Sequence, residues 1–379
     1  MDSITPIPNQ PAVPEEVPKR ILSLEGGGVR GVFSLQILLR MEQLLRRHYR
    51  REDLVLADHF HLIAGTSVGA ILGTFLSWGW SVADLVVFFE KCLPQIFSRS
   101  SWWNLKATAF RRGPLREILQ REFAEADGQP ALLGSQRLKT WLMIVLRNLS
   151  TGSVWPLINH PSALFNQSTQ PDGSDNPASN LRLPLWQLVR ASSAAPWFFP
   201  PERVTLAPGQ TAEFVDGGLT GHNNPNVIAF LMATLPCYPL RWPQGVDRLH
   251  LISVGTGRPP VRLSPSRRWL LERFRVASIV PASLMQSASQ EQDLLMRALG
   301  RCEHGEPIDQ EVGTLAGPQA VGSALRYSRY NRVFSDDEIR QACASCRTSF
   351  TLASVRLMPW LKDQGQRHAE ETVRLEHLI

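Results

Sequence analysis

The chain has 379 residues and a mass of 42.5 kDa, with 43% apolar and 20% charged residues, 26 Gly and 28 Pro. That length fits one large domain or two ordinary ones, and the composition excludes a coiled coil, a collagen-like rod and a wholly disordered protein. The net charge of +6 comes from 40 Lys and Arg against 34 Asp and Glu, nearly all of the positive side being Arg. Guanidinium groups fork onto phosphate, which suits anionic lipid heads or nucleotides, although a genomic base-composition bias leaves the same pattern.

Residues 1–18, rich in proline and carrying Glu15 and Glu16, predict a flexible tail without the charged start and apolar run of a signal peptide. The five cysteines (Cys92, Cys237, Cys302, Cys343, Cys346) are scattered, unlike a secreted disulfide framework, so a cytoplasmic setting is expected. Residues 20–24 form a short apolar run and predict a buried strand. Residues 32–49 carry apolar side chains at helical spacing and end in cations, which suit a helix C-terminus. A second strand is predicted over 60–64. Residues 70–89 are interrupted by Ser77, Ser81 and Asp84, and predict a buried helix rather than a bilayer span of roughly 20 apolar residues. Further strands are predicted over 140–145, 212–215 and 248–254. Strands alternating with helices imply an α/β fold: three layers, α/β/α, around a mainly parallel central sheet over residues 19–262. Beyond 262 the strand signals thin out, and residues 263–379 predict a mostly helical, regulatory C-terminal region.

Two glycine turns follow the first two strands. Gly26-x-Gly28-x-x-Gly31 has the spacing of a dinucleotide fingerprint. That fingerprint also needs an acidic residue at the end of the second strand to hold a ribose, and this strand runs instead into Gly65-Thr66-Ser67. Gly65-x-Ser67-x-Gly69 between a strand and a helix has the form of a nucleophile elbow, in which small flanking residues let the chain turn tightly enough to expose the serine oxygen. The first turn then has a complementary role. Backbone N–H groups of Gly26, Gly27, Gly28, Val29 and Arg30 would receive an oxyanion. A serine nucleophile needs a base. Asp216, beside Gly217 and Gly218 at a strand end, is one candidate; His222 nearby would instead complete a Ser–His–Asp triad.

In order along the chain, Glu25-Gly-Gly-Gly-Val-Arg-Gly31, Gly65-Thr-Ser-Val-Gly69, Ala191-Ser-Ser-Ala-Ala-Pro196 with Phe199-Pro-Pro201, Asp216-Gly-Gly218 and Ser253-Val-Gly-Thr-Gly257 resemble the blocks of patatin-like phospholipases. The resemblance implies a phospholipase A-type acyl hydrolase with a Ser67–Asp216 dyad, no histidine, no calcium and no other cofactor or metal. Its oxyanion hole would be the backbone of Gly27, Gly28, Val29 and Arg30. Glu25 stands where many members have Asp. The implied partners are membrane phospholipids, met at the inner face of the cell membrane, and a homo-oligomer stays open.

Phe88, Phe89, Ile96 and Phe97 lead into a stretch, residues 102–112, where Trp102, Trp103 and Phe110 mix with Lys106, Arg111 and Arg112. That mixture suits either a membrane interface or core packing, as does the run of Arg and Trp over 267–275. Residues 284–297 and 327–331 resemble the C-terminal part of bacterial patatin effectors of cyclic-nucleotide anti-phage systems. This second resemblance implies an activating cyclic di- or oligonucleotide, with Arg326, Arg329 and Arg332 on phosphates and Tyr327 and Tyr330 stacked on bases. The competing reading of that segment is an edge strand with solvated arginines. No motif for sequence-specific nucleic-acid binding is visible. A constitutive lipase, a toxin activated by a host factor and a non-catalytic lipid binder remain alternatives.

Overall fold

In the computed structural model residues 17–98, 110–111, 113–196, 198–260 and 269–379 are described, with the backbone alone over 269–282. The chain opens with β1 (Lys19–Leu24), an apolar run with five of six residues buried. α1 (Gly31–Tyr49) follows the first glycine turn and ends at Arg50 in the left-handed conformation. Next come β2 (Leu62–Thr66), α2 (Val68–Ser77), α3 (Val82–Ile96), whose N-cap Ser81 accepts the Asp84 N–H, and α4 (Gly113–Glu122). The middle of the chain supplies β3 (Trp141–Asn148), β4 (Val154–Ile158), α5 (Leu185–Ser192), β5 (Glu202–Ala207), β6 (Gln210–Asp216) and α6 (Asn226–Thr234). β7 (Leu249–Val254), α7 (Trp269–Leu299), β8 (Arg301–His304), β9 (Arg326–Tyr330), α8 (Asp336–Cys346) and α9 (Met358–Thr372) complete it.

The strands form one sheet in the order β5-β6-β3-β2-β1-β7-β9-β8, with β4 also paired to β3. β1, β2, β3, β7, β8 and β9 run parallel to their neighbours among themselves; β4, β5 and β6 pair antiparallel. Side chains alternate across the sheet. Leu22, Ile63, Leu142 and Ile252 face a core closed by α1, α2 and α3, while Ile21, Leu62, Met143 and Leu251 face a core closed by α6 and by Met296 of α7. Helices on both faces of a mainly parallel sheet are the expected three layers.

The sheet crosses the boundary expected at residue 262. The last third is mostly helical, yet it also supplies β8 and β9, and β9 lies inside the sheet between β7 and β8. The edge-strand reading of residues 326–330 is therefore corrected. α9 returns onto α1, where the His368 ring stacks on Phe33 at 5.6 Å. The C-terminal region thus shares the sheet with the earlier strands and contributes to both cores, Phe334 and Leu361 on one face and Met296 and Tyr327 on the other.

Register alone brings Ser67 and Asp216 near each other. Thr66 of β2 pairs with Val145 of β3, and the next β3 residue, Leu146, pairs with Asp216 at the end of β6. Asp216 therefore stands one strand away from the turn that carries Ser67.

Candidate active site

Ser67 sits between β2 and α2 with φ 56° and ψ −125°. Non-glycine residues avoid this region, and one that stays there must be held by its surroundings. The holding is visible. A Cβ at Gly65 would lie 2.2 Å from the Gly69 carbonyl oxygen, and one at Gly69 would lie 2.1 Å from the Leu24 carbonyl oxygen, so both flanking positions admit only glycine. The Ser67 N–H donates to Ser192 Oγ at 3.0 Å, and that hydroxyl donates to the Val145 carbonyl at 2.7 Å. Ser193 Oγ donates to the Ser67 carbonyl at 3.3 Å. The Ser-Ser pair at the end of α5 thus braces the elbow, a role its sequence did not disclose.

Ser67 Oγ donates to Asp216 Oδ2 at 2.6 Å, and the Gly218 N–H donates to Asp216 Oδ1 at 2.7 Å. Both carboxylate oxygens are thereby occupied, with no ring between Ser67 and Asp216. Asp216 is only 3% exposed, and burial pushes its pKa up to about 6 against the lowering effects of the Ser67 and Gly218 hydrogen bonds and of Arg190. Were Asp216 the base, it would have to be ionised to take the serine proton, so any hydrolysis at this site should fall as pH drops through about 6 and level off above it. A pH profile of kcat/KM checks this; an inflection near the ordinary aspartate value of 3.8 would contradict the burial argument.

His222 is not part of this arrangement. Its Nδ1 is buried without a hydrogen-bond partner, burial lowers its pKa, and its backbone oxygen accepts from Thr66 Oγ1. Among the described residues around Ser67 and its cavity, none is a histidine. The triad alternative is corrected on that geometry.

The glycine turn is more committed than the sequence suggests. The Gly26 N–H donates to the Asn223 carbonyl at 3.1 Å, the Arg30 N–H to Gly27 at 3.2 Å, and the Val29 N–H to the Leu352 carbonyl at 2.8 Å. Three of the five expected oxyanion donors already have acceptors in the protein. Among the described residues the Gly27 and Gly28 N–H groups have no such acceptor. Gly28 has φ +58°, and a Cβ there would meet the Leu352 carbonyl oxygen at 2.2 Å. Arg30 ties the turn to the end of β7 through the Gly257 carbonyl at 2.8 Å.

Ser67 opens on a cavity of about 540 Å³. One wall is apolar, built by Phe88, Phe89, Leu93, Ile96 and Phe97 of α3 and its cap together with Ile118 of α4; Phe350 and Leu352 from the loop between α8 and α9 form part of the opposite side. The aromatic run over 88–97 is therefore cavity lining and core. Phe110 packs on Phe97 at 5.2 Å. Residues 102–109, Arg112 and the Arg–Trp run over 267–275 lie outside the described residues or side chains.

The five side chains expected to contact a nucleotide all have partners within the protein, Arg332 donating to Gln364 Oε1 at 2.6 Å and to Glu338 Oε1 at 2.7 Å, and the other four are placed against the nucleotide reading. Tyr327 and Tyr330 are fully buried, with hydroxyls bonded to Asp293 (2.8 Å) and His377 (2.7 Å), so neither ring offers a face to a base. Arg329 is buried against Glu25 and Ser253 Oγ. Arg326 donates to the backbone oxygens of Glu376 and Ile379. These residues knit the sheet to the C-terminal segment. Among the described residues no helix is long and apolar enough to cross a membrane.

Comparison with known proteins places this geometry. The family of patatin-like phospholipases matches residues 22–230. The chain is 33% identical over 264 residues to a cGAMP-activated phospholipase of Escherichia coli (strain TW11681), covering 66% of each. It is 31% identical over 255 residues to a cGAMP-activated phospholipase of Vibrio cholerae serotype O1, covering 65% of this chain and 66% of the relative. A cUMP-AMP-activated phospholipase of Escherichia coli is 24% identical over 314 residues, 82% of this chain and 85% of the relative. The match spans just under two thirds of the length of the first two relatives.

Proposed function

The chain belongs to the patatin-like phospholipase family, and on that premise we propose that it is a serine lipid acyl hydrolase, held back by its own C-terminal loop and switched on by a cyclic di- or oligonucleotide. The observation that carries the hydrolase reading is the direct 2.6 Å hydrogen bond from Ser67 Oγ to a buried Asp216. Asp216 Oδ2 takes the serine proton as Oγ bonds to the ester carbonyl carbon. The resulting oxyanion is received by the Gly27 and Gly28 N–H groups, at the N-terminal end of α1 and facing that of α2, where helix dipoles favour negative charge. Collapse breaks the ester bond, and the leaving lysolipid oxygen takes the proton from Asp216. A water then gives its proton to Asp216 and attacks the acyl carbon, releasing the fatty acid and restoring Ser67.

The apolar wall suits the acyl chain of a membrane phospholipid, since burying each CH₂ is worth about 0.8 kcal/mol. Gating is supported by two independent facts. The relatives are named for cyclic-nucleotide activation, and here the Leu352 carbonyl holds the Val29 N–H beside the two free oxyanion donors. On this reading the enzyme acts in the cytoplasm on the inner face of the cell membrane, as an effector of anti-phage defence.

The test is fatty-acid release from mixed phospholipid vesicles by the purified protein, alone and with cGAMP or cUMP-AMP, beside Ser67→Ala. Release with one nucleotide only, absent in the variant, supports both parts. Release without nucleotide keeps the hydrolase and removes the switch, and release by the Ser67→Ala protein removes the mechanism.

A further inference from the structure

Beside the oxyanion turn lies a charged cluster, Glu25, Asp293 and Glu306 with Arg258, Arg297, Arg329 and Arg332, in which one guanidinium has no direct carboxylate contact. Arg329 is committed to Glu25, and Arg297 to Asp293 through paired hydrogen bonds of 3.0 and 2.6 Å. Both carboxylates also accept other donors, Asn223 Nδ2 on Glu25 and the Tyr327 hydroxyl on Asp293. Arg332 pairs with Glu338 at 2.7 Å, which leaves Arg258 as the remaining guanidinium of the group. Its side-chain partner is the neutral Gln290 carboxamide, whose oxygen accepts from Nη1 at 2.9 Å and Nη2 at 3.0 Å. Among the described residues no carboxylate makes an ion pair with it. An inward cation that lacks a counter-charge is costly unless an anion is drawn to it.

Its placement is fixed. The Arg258 N–H donates to the Arg332 carbonyl, and its own carbonyl accepts the Phe334 N–H, each at 2.9 Å. The residue therefore projects from a clamped backbone at the end of β7. It lines the small polar recess that holds Glu25 and Asp293, and it also lines the cavity that holds Ser67. The same segment reaches the oxyanion turn, because a Cβ on Gly27 would lie 2.2 Å from Thr256 Oγ1 and the Gly257 carbonyl holds Arg30. Burial lowers the Arg258 pKa, partly offset by the nearby Glu25 and Asp293 charges. The remainder of the cavity wall is mainly apolar, so an amphiphile with one anionic group fits: acyl chain along α3, charge at Arg258.

We propose that Arg258 is a specificity-determining residue that binds the phosphodiester of a glycerophospholipid while its ester lies at Ser67, so that the enzyme prefers phospholipids to neutral acylglycerols. This rests on the hydrolase reading above. A cyclic nucleotide carries the same phosphodiester chemistry, and the test separates the two sources.

Soluble dihexanoyl phosphatidylglycerol and neutral dihexanoylglycerol are compared as substrates for the wild type, Arg258→Gln and Arg258→Lys, each with and without cGAMP. Losing a hydrogen-bonded charge contact should lower the phospholipid-to-acylglycerol ratio of kcat/KM by about ten- to hundredfold in Arg258→Gln, chiefly through KM, with partial recovery in Arg258→Lys. Binding of both lipids to the full-length Ser67→Ala protein, read by calorimetry with and without Arg258→Gln, gives the same comparison without turnover. Loss of phospholipid binding alone supports the proposal even if no ester is cleaved, an outcome that would remove only the hydrolase reading. Equal losses on both lipids overturn it as a merely structural effect. An unchanged lipid ratio with a shifted cGAMP concentration dependence overturns it in favour of nucleotide binding.

Discussion

Ser67→Ala and Asp216→Asn should each abolish fatty-acid release, by on the order of 10⁴- to 10⁶-fold in kcat, while leaving the fold intact. The alanine removes the attacking oxygen. The asparagine keeps the shape and can still accept the Gly218 N–H, but it cannot take a proton, so the Ser67 hydroxyl stays protonated. The stability readout makes this test sharp. Asp216 is buried with its pKa pushed up to about 6, so the folded state disfavours its charged form. The folded pKa lies above the unfolded value of 3.8, and the group therefore stabilises the fold below about pH 4 and loses that contribution as pH rises through about 6. Asparagine removes the penalty that the ionised carboxylate carries at neutral pH. Asp216→Asn should then show lost turnover with a Tm at pH 7.5 equal to or above the wild type, measured by scanning fluorimetry. A damaged fold would give the opposite sign. His222→Ala, outside the cavity, should stay within about threefold of wild-type turnover. If Asp216→Ala kept most of the activity and His222→Ala lost it, the dyad would be wrong and the triad right.

Much of this site is legible in the residues because it is built from local chemistry. A tight turn around Ser67 needs glycine at 65 and 69, and the close approaches to the Gly69 and Leu24 carbonyls explain why. Asp216 is legible as an aspartate at a strand end, and its distance from Ser67 follows once the β2–β3–β6 register is known. The strands that are easy to read are the ones covered on both faces, which spell uninterrupted apolar runs. β9 is not of that kind. Its Arg-Tyr-Ser-Arg-Tyr sequence looks like a solvated edge, yet the strand is interior because Arg329 finds Glu25, and Tyr327 finds Asp293, from distant parts of the chain. Burial of a polar strand depends on partners 34 and 304 residues away, and no local pattern carries that information. The differences among the N–H groups of the first glycine turn are hidden for the same reason. Five consecutive N–H groups look equivalent in the sequence, and only the tertiary acceptors on Asn223 and Leu352 set Gly27 and Gly28 apart.

The Leu352 contact yields the second large expected effect. Leu352 belongs to the loop that joins α8 to α9, and its carbonyl reaches across to the Val29 N–H at 2.8 Å. The loop is held in that position by its own side chains. Ser354 Oγ accepts the Thr351 N–H at 3.1 Å, Thr351 Oγ1 and Ser354 Oγ share a hydrogen bond at 2.7 Å, and Ser354 Oγ donates to the Ser349 carbonyl. Phe350 anchors it further, edge-on to Phe334 with ring centres 6.0 Å apart. Replacing both hydroxyl residues, Thr351→Val with Ser354→Ala, removes these three bonds and the one from the Ala353 N–H to Thr351 Oγ1 at 3.3 Å, while leaving the Phe350 anchor, Ser67, Asp216 and the glycine turn unchanged; Thr351 lines the cavity, and valine keeps its shape there. At about 0.5–1.5 kcal/mol net for each bond, the balance between held and released loop should shift by at least about thirtyfold. Release frees the Val29 N–H as a third oxyanion donor, and one such donor is worth about 10²- to 10³-fold in other hydrolases. The double variant should therefore release fatty acid from vesicles without nucleotide, at least about tenfold faster than the wild type, and respond less to cGAMP or cUMP-AMP because part of the work of activation is already done. Basal release that stays level, or that falls together with Tm, would mean that the loop is a fixed wall of the cavity, and the gate would have to lie elsewhere in the chain.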